Sequence, residues 1–187
     1  MKKKFKTIIT AVVLLAVAFM VTGCGSKGAT AGVGETLVAK GANDVIAVKV
    51  LSEPEKHTVK GLFGTTDTYG RMQLEVENKG KESVSMVIVN IGLADADKKE
   101  VAYSDSFSTE EDNILSKTIA PGAKETGYVY FMDVAGPNPE GGSDNTSYIS
   151  DKTIADAVFL KVSMLGKTSK KDGKITGNYI DSYLQLK

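Results

Sequence analysis

The chain has 187 residues, which is about the length of one domain. It carries 23 Lys and Arg against 23 Asp and Glu, so its formal net charge is zero. Nucleic-acid-binding domains usually carry a basic excess or a basic face, and this balance gives no reason to expect a nucleic-acid partner. A single Cys excludes a disulfide framework within the chain, and a single His excludes a His-rich metal centre.

The first 23 residues show the pattern of a secretory signal. Lys residues at positions 2, 3, 4 and 6 precede an apolar run from Ile8 to Val21. That run has about 14 residues, whereas a permanent membrane-spanning helix needs roughly 20. We therefore expect residues 1–23 to be a signal peptide that is removed from the mature protein.

The signal ends in a motif that resembles the bacterial lipobox. Val21, Thr22 and Gly23 stand directly before Cys24, which is the only Cys of the chain. In lipoproteins with this motif, the Cys sulfur receives a diacylglyceryl group, and cleavage makes that Cys the first residue. The resemblance implies a diacylglyceryl anchor at Cys24 and a location on the extracytoplasmic face of the bacterial cell membrane. Arg71 is the only Arg among the 23 basic residues, and the other 22 are Lys. Such Lys usage indicates an AT-rich genome and fits a low-GC Gram-positive bacterium.

Residues 24–43 are predicted to be a flexible tether, because Gly25 to Gly34 is rich in Gly and lacks a hydrophobic period. In residues 44–187, apolar side chains recur with a period of two, which indicates strands. The third strand changes its apolar phase near Val87, which indicates a bulge or a strand covered on both faces. The predicted strands are 45–51, 72–77, 84–93, 100–104, 114–119, 127–134, 157–165 and 175–186.

Such short strands, separated by turn residues, predict an all-β fold, an antiparallel β-sandwich of about 7–9 strands. No window after residue 35 keeps a helical period for three turns. A single helical turn is predicted over 150–156, where Ser150 is suited to cap it.

Two segments of this pattern resemble the telokin-like, immunoglobulin-like domains of Gram-positive secreted lipoproteins. One ends a strand with Asn78-Lys79-Gly80, and the other joins a Pro121-Gly122 turn to a strand that begins at Gly127. Those domains typically show V-x-N-x-G, L-x-P-G and G-x-V-x-F in this order. The match covers roughly residues 70–134. It implies an immunoglobulin-like sandwich and an extracellular location, and the family brings no agreed catalytic residues.

The residues give little sign of catalysis. His57 is the only candidate for a His base, and its polar neighbours predict an exposed loop histidine. The chain has no G-x-S-x-G elbow, no H-E-x-x-H and no Walker A run. Carboxylate pairs of the kind that hydrolyse glycosides arise by chance among 23 acidic residues. Two predicted loops, 52–70 and 136–148, are unusually long and are therefore either functional or mobile.

Calcium binding is the more serious chemical alternative, because Ca²⁺ takes several oxygen ligands from loops. Asp95, Asp97 and Glu100 lie within one predicted turn and are weak candidate ligands. The EF-hand spacing with its Gly at the sixth position is missing. A solvated acidic turn is the simpler interpretation.

Four tyrosines form the strongest candidate binding surface. If Val129 faces the core, strand alternation places Tyr128 and Tyr130 on the opposite face. Tyr179 and Tyr183 likewise share one face of the last predicted strand. If the two strands are neighbours in the sheet, the four rings form one recognition patch, since Tyr is enriched at interfaces. Ordinary cross-strand packing is the alternative.

Taken together, these features predict a lipid-anchored extracytoplasmic binding module without catalytic activity and without a cofactor. Its expected partner is a protein or a cell-wall component. Two alternatives stay open, a calcium-responsive module of the cell envelope and an enzyme that hydrolyses cell-wall polymers.

Overall fold

The computed structural model describes residues 32–60, 66–104, 110–137, 145–171 and 174–187. The predicted signal peptide, the lipobox and Cys24 lie outside these residues. Within the described ranges, no helix is long and apolar enough to cross a membrane.

The described residues form twelve strands, two 3-10 helices and one short α-helix. The helical elements are the 3-10 helices Met86–Ile88 and Ile114–Ser116 and the α-helix α1, Asp151–Asp156. The strands are β1 Thr36–Lys40, β2 Val45–Val50, β3 Glu55–Lys60, β4 Thr66–Asn78, β5 Val84–Ser85, β6 Asn90–Ala94, β7 Glu100–Ser104, β8 Thr118–Ile119, β9 Lys124–Asp133, β10 Asn145–Ser147, β11 Phe159–Lys171 and β12 Lys174–Gln185.

Ten of these strands join into one sheet. Eight of them follow one another in the order β1-β2-β4-β9-β7-β6-β11-β12, and β3 and β10 each pair with β4. The long strand β4 takes β2 and then β3 along one edge, and β9 and then β10 along the other. All pairings in this sheet are antiparallel except that of β10 with β4. The sheet folds over on itself, because the Ala42 N–H that follows β1 donates to the Leu165 carbonyl of β11 at 2.9 Å. The predicted all-β, antiparallel β-sandwich is confirmed.

The core lies between the two halves of the folded sheet. In β4, Met72, Leu74 and Val76 are fully buried, while the polar residues between them stay half-exposed. This alternation follows from the strand period, which sends successive side chains to opposite faces. Burial of each such apolar side chain contributes about 1.5–3 kcal/mol relative to exposure. The remaining outer face is therefore free to carry polar and aromatic groups.

The folded domain begins earlier than predicted. β1 lies within the predicted tether 24–43, pairs with β2 from Thr36 to Lys40 and buries Ala39. A five-residue strand next to a Gly-rich run is too short to show a period in the sequence.

The predicted long loop 52–70 contains a strand pair instead. Residues 55–60 form β3 and pair with the first half of β4. β3 is an edge strand that is at least partly exposed along its length, so it carries none of the apolar alternation that would reveal it. Of the second predicted loop, residues 145–147 form β10, and residues 138–144 lie outside the described part.

Two predicted strands are interrupted by 3-10 helices. The predicted strand 84–93 is divided into β5 and β6 by Met86–Ile88, where Val87 is 58% exposed, and the change of phase near Val87 is thereby explained. The predicted strand 114–119 consists of Ile114–Ser116 and the two-residue β8, which pairs with β5. The predicted helical turn is confirmed as α1, whose Thr153 N–H donates to the Ser150 hydroxyl at 3.1 Å.

Candidate functional site

A groove of about 410 Å³ crosses the outer face of β7, β6, β11 and β12. Its two aromatic walls are Tyr103 on β7, which is 40% exposed, and Tyr179 on β12, which is 53% exposed. Pockets for small ligands in proteins typically have volumes of about 300–1,000 Å³. The size and the exposed rings make this groove the candidate functional site.

Strand register decides which side chains meet in the groove. Gly92 of β6 lies beside Tyr103 of β7 on one side and beside Lys161 of β11 on the other. Lys161 in turn lies beside Tyr183 of β12. Directly paired residues of neighbouring strands project to the same face, so this row of side chains points away from the core.

Gly92 is required at the floor of the groove. A Cβ at this position would lie 2.9 Å from the Ala102 carbonyl oxygen and 3.3 Å from Cδ of Glu100. The absence of a side chain lets Glu100 of β7 pass over β6 and reach Lys161 of β11. The Lys161 Nζ donates to Glu100 Oε2 at 2.7 Å.

Charge in the groove is not balanced. Lys161 Nζ lies 2.7 Å from Glu100 Oε2 but 3.5 Å from Asp181 Oδ2. Burial lowers the pKa of Lys161, yet the hydrogen bond that it donates to Glu100 and the charges of both carboxylates outweigh this effect, so the pKa is raised overall. One ammonium and two carboxylates leave a net charge of −1.

Tyr183 lies beside Lys161, just outside the residues that line the groove, and already has a lysine over its ring. The Lys98 Nζ lies 5.1 Å from the centre of the Tyr183 ring and 5.7 Å from that of Phe159. Lys98 has a φ of 61°, in a turn that Asp95 closes by accepting hydrogen bonds from the N–H groups of Asp97 and Lys99. An ammonium within about 6 Å of an aromatic ring centre is attracted by the ring quadrupole.

Two of the three weak calcium candidates, Asp95 and Glu100, make other contacts through their carboxylates. Asp95 Oδ1 closes the turn, and Glu100 pairs with Lys161. Among the described residues, no group of three or more His, Cys, Asp or Glu side chains is placed to hold a metal ion.

The four predicted tyrosines do not form one patch. Tyr128 and Tyr130 lie on β9 and Tyr179 and Tyr183 on β12, with β7, β6 and β11 between the two strands. The strand 157–165 does not pair with β9 but with β6 and β12. Tyr179 lines the groove and Tyr183 lies beside Lys161, whereas Tyr130 is fully buried.

The tyrosines of β9 belong to a second cluster of polar side chains. The Tyr130 hydroxyl donates to Asp112 Oδ1 at 2.8 Å, and the Arg71 guanidinium lies 4.5 Å from the centre of the Tyr128 ring. His57 lies on β3 and not in a loop, and it is half-buried with its ring 5.9 Å from that of Tyr130. The expectation of an exposed loop histidine is corrected accordingly.

Tyr130 should make stability sensitive to alkaline pH. Burial and the hydrogen bond to the Asp112 carboxylate both disfavour the phenolate and raise the pKa of Tyr130 well above its usual value of about 10. Its stabilising contribution is then fully present below about pH 10 and is lost as pH rises and the unfolded chain ionises. We expect Tyr130→Phe to cost about 1 kcal/mol at pH 7. Urea unfolding should show this difference vanishing near about pH 11. A difference that stays constant between these values would contradict the assignment.

The family comparison identifies the first part of the chain. The model of the domain of unknown function DUF4352 matches residues 34–135. The chain belongs to this family. No curated protein matches the chain. Among solved structures, a secreted protein from Mycobacterium tuberculosis, MPT63, is 22% identical, with a TM-score of 0.42; the match covers 64% of this chain and 96% of that one.

The DUF4352 match extends from just before β1 to just after β9. It includes Gly92, Glu100 and Tyr103 but not Lys161 and Asp181, which belong to the following hairpin β11–β12. The groove is therefore assembled from the family domain and from the segment after it.

Sequence reasoning found Tyr179 and Tyr183 but missed Tyr103, Gly92 and Lys161. Tyr103 stands in a correctly predicted strand, yet nothing in its own neighbourhood shows that β7 lies two strands away from β11. A strand glycine is a usable signal, because Gly within a strand often marks a close approach of another group.

Proposed function

We propose that the protein is a lipid-anchored, non-catalytic binding module on the extracytoplasmic face of a bacterial cell membrane, and that the groove of β7, β6, β11 and β12 is its ligand site. The observation that carries the proposal is the groove, which is lined by two exposed tyrosines and by the charged side chains Glu100, Lys161 and Asp181. Tyr is enriched at recognition sites because its ring supplies apolar area and its hydroxyl a polar tip.

The charge pattern of the groove favours binding over acid–base catalysis. A catalytic lysine acts as a base when its pKa is lowered toward neutrality. The pKa of Lys161 is instead raised, because Glu100 and Asp181 stabilise its ammonium form. Glu100 and Lys161 are joined in a 2.7 Å ion pair that holds the floor of the groove in place.

The lipobox supports a lipid anchor at Cys24. The length of the chain after Cys24 limits how far the folded domain can lie from that anchor. Eight residues, 24–31, separate the lipobox from Gly32 and can span at most about 28 Å. Gly32 lies against Gln185 and Leu186 at the end of β12, since a Cβ on it would be 2.6 Å from the Gln185 carbonyl oxygen. An anchor at Cys24 would therefore hold this end of β12 near the membrane.

One experiment tests both parts of the proposal in cells. A photoreactive phenylalanine analogue replaces Tyr179 in the intact chain and, separately, in a Cys24→Ser variant, and the same analogue at exposed Val134 serves as the control site. We expect the intact chain to incorporate labelled palmitate, to sediment with membranes and to yield one dominant adduct from position 179. Cys24→Ser should lose the label and appear in the medium.

The two parts can fail separately. Membrane retention of unlabelled Cys24→Ser would overturn the anchor. Adducts at position 179 that are the same as those at position 134, or no adduct at all, would overturn the groove as the ligand site.

A further inference from the structure

We infer that the groove takes a cationic ligand and holds its ammonium group between the Asp181 carboxylate and the ring of Tyr179. The ligand class is a primary ammonium on a flexible aliphatic stem, as in the side chain of lysine. The inference rests on the proposed function, because it names the ligand chemistry of the same groove.

Asp181 is the carboxylate that remains available to a ligand. Glu100 holds the Lys161 ammonium at 2.7 Å, a normal length for a charge-assisted hydrogen bond. Asp181 lies 3.5 Å from the same ammonium, and its side chain is 38% exposed. The Tyr183 hydroxyl also lies 3.5 Å from Asp181 Oδ2. An ionised carboxylate has about four acceptor sites, so Asp181 keeps room for a further donor.

The net charge decides between ligand classes. One ammonium and two carboxylates give the groove a charge of −1, which repels phosphate and carboxylate ligands and attracts cations. An incoming ammonium would bring the local charge to zero.

A contact between a lysine ammonium and a tyrosine ring is already present on the same face of β12. Tyr179 and Tyr183 stand two residues before and after Asp181 on the same face of β12, so the Cα atom of each lies about 7 Å from that of Asp181. The Lys98 ammonium already lies over the Tyr183 ring at 5.1 Å. Among the described residues, no cation lies over the Tyr179 ring.

The same preference recurs elsewhere on this face of the sheet, because the Arg71 guanidinium lies 4.5 Å from the centre of the Tyr128 ring. Tyr179 is thus the tyrosine beside the surplus carboxylate whose ring remains open to a cation, and it is 53% exposed. The groove extends from there over Gly92 to Tyr103, which offers apolar surface for an aliphatic stem.

The test is calorimetric titration of the full chain in detergent micelles with Nα-acetyl-lysinamide. Its matched neutral probe is Nα,Nε-diacetyl-lysinamide, which has the same stem without the charge. We expect binding of the first probe alone. Asp181→Asn should weaken it about tenfold and Tyr179→Ser about threefold. Glu125→Gln, which removes a charge from an exposed position of β9 outside the groove, should leave it unchanged.

Equal affinity for the charged and neutral probes, no binding of either, or indifference to Asp181→Asn would overturn the inference. The proposed function has its own readout, the adduct at position 179 in cells. A specific adduct at that position, together with no affinity for the charged probe, would retain the groove as a ligand site and reject the ammonium class. Absence of both the adduct and the affinity for the charged probe would reject the groove as a ligand site and the ammonium class together.

Discussion

Replacement of Asn78 by Ala is expected to lower the free energy of unfolding by about 3–4 kcal/mol. The Asn78 side chain is fully buried at the end of β4. Its Nδ2 donates to the carbonyl oxygens of Glu82 at 2.7 Å and Ile119 at 2.8 Å, and its Oδ1 accepts from the Gly80 N–H at 2.8 Å. Loss of the amide leaves these backbone groups without their partners, and unsatisfied buried polar groups are costly.

The main chain of Asn78 belongs to the same junction. Its N–H donates to the Ala123 carbonyl at 3.0 Å, and its carbonyl accepts from the Gly122 N–H at 2.8 Å. One residue thus joins the Asn-Lys-Gly turn to the Pro-Gly turn, which are far apart in sequence. This junction gives a physical reason for the V-x-N-x-G and L-x-P-G motifs to occur together.

Urea unfolding of the full chain measures the effect of Asn78→Ala. Asn78→Asp is expected to be destabilising as well, because a carboxylate oxygen would replace the donor that faces two carbonyl oxygens. The control is Lys81→Ala in the same turn, at an exposed position, with an expected change below about 0.5 kcal/mol. A cost for Asn78→Ala as small as that of the control would show that the junction is not stabilised by this amide.

Replacement of Gly127 by Ala is expected to lower the free energy of unfolding by about 3 kcal/mol, as forced shifts in packed cores do. A Cβ at Gly127 would lie 2.6 Å from the Asp112 carbonyl oxygen and 3.3 Å from the Ile114 backbone nitrogen. That carbonyl also accepts the Tyr128 N–H at 2.8 Å. The obstacle is backbone, so the segment that begins at Asp112 must move away from β9.

A double-mutant cycle makes this prediction specific. Displacement of Asp112 also removes the acceptor of the Tyr130 hydroxyl, which lies 2.8 Å from Asp112 Oδ1 in the native chain. The cost of Tyr130→Phe should therefore nearly vanish in the Gly127→Ala background. Thr126→Ser, at an exposed position of the same strand, is the control. Additive costs of the two substitutions would contradict the predicted displacement.

Much of the fold could be predicted because strand alternation is a local property. β2, β9 and β12 were found within three residues of their observed bounds, since each contains a local group of apolar or aromatic residues. β1 and β3 were missed because one is short and the other is a polar edge strand. β1 and β3 are held as strands by backbone pairing with β2 and β4, which their own residue patterns do not predict.

The candidate site was predicted only in part for a related reason. Local alternation placed Tyr179 and Tyr183 on one face of a strand, and the structure has both on that face beside the groove. The same alternation placed Tyr130 away from the core, but the segment around Asp112 covers it from outside. A strand pattern states which residues share a face and does not state what packs upon that face.

The sequence by itself determined the strand-forming segments, the sandwich class and the lipobox that predicts an anchor at Cys24, because each depends on neighbours along the chain. Only the tertiary structure decided that β6 lies between β7 and β11, and that Gly92 there lets Glu100 reach Lys161. It also decided that Asp181 carries the surplus charge of the groove. These are relations between residues far apart in the chain, which strand order and register create.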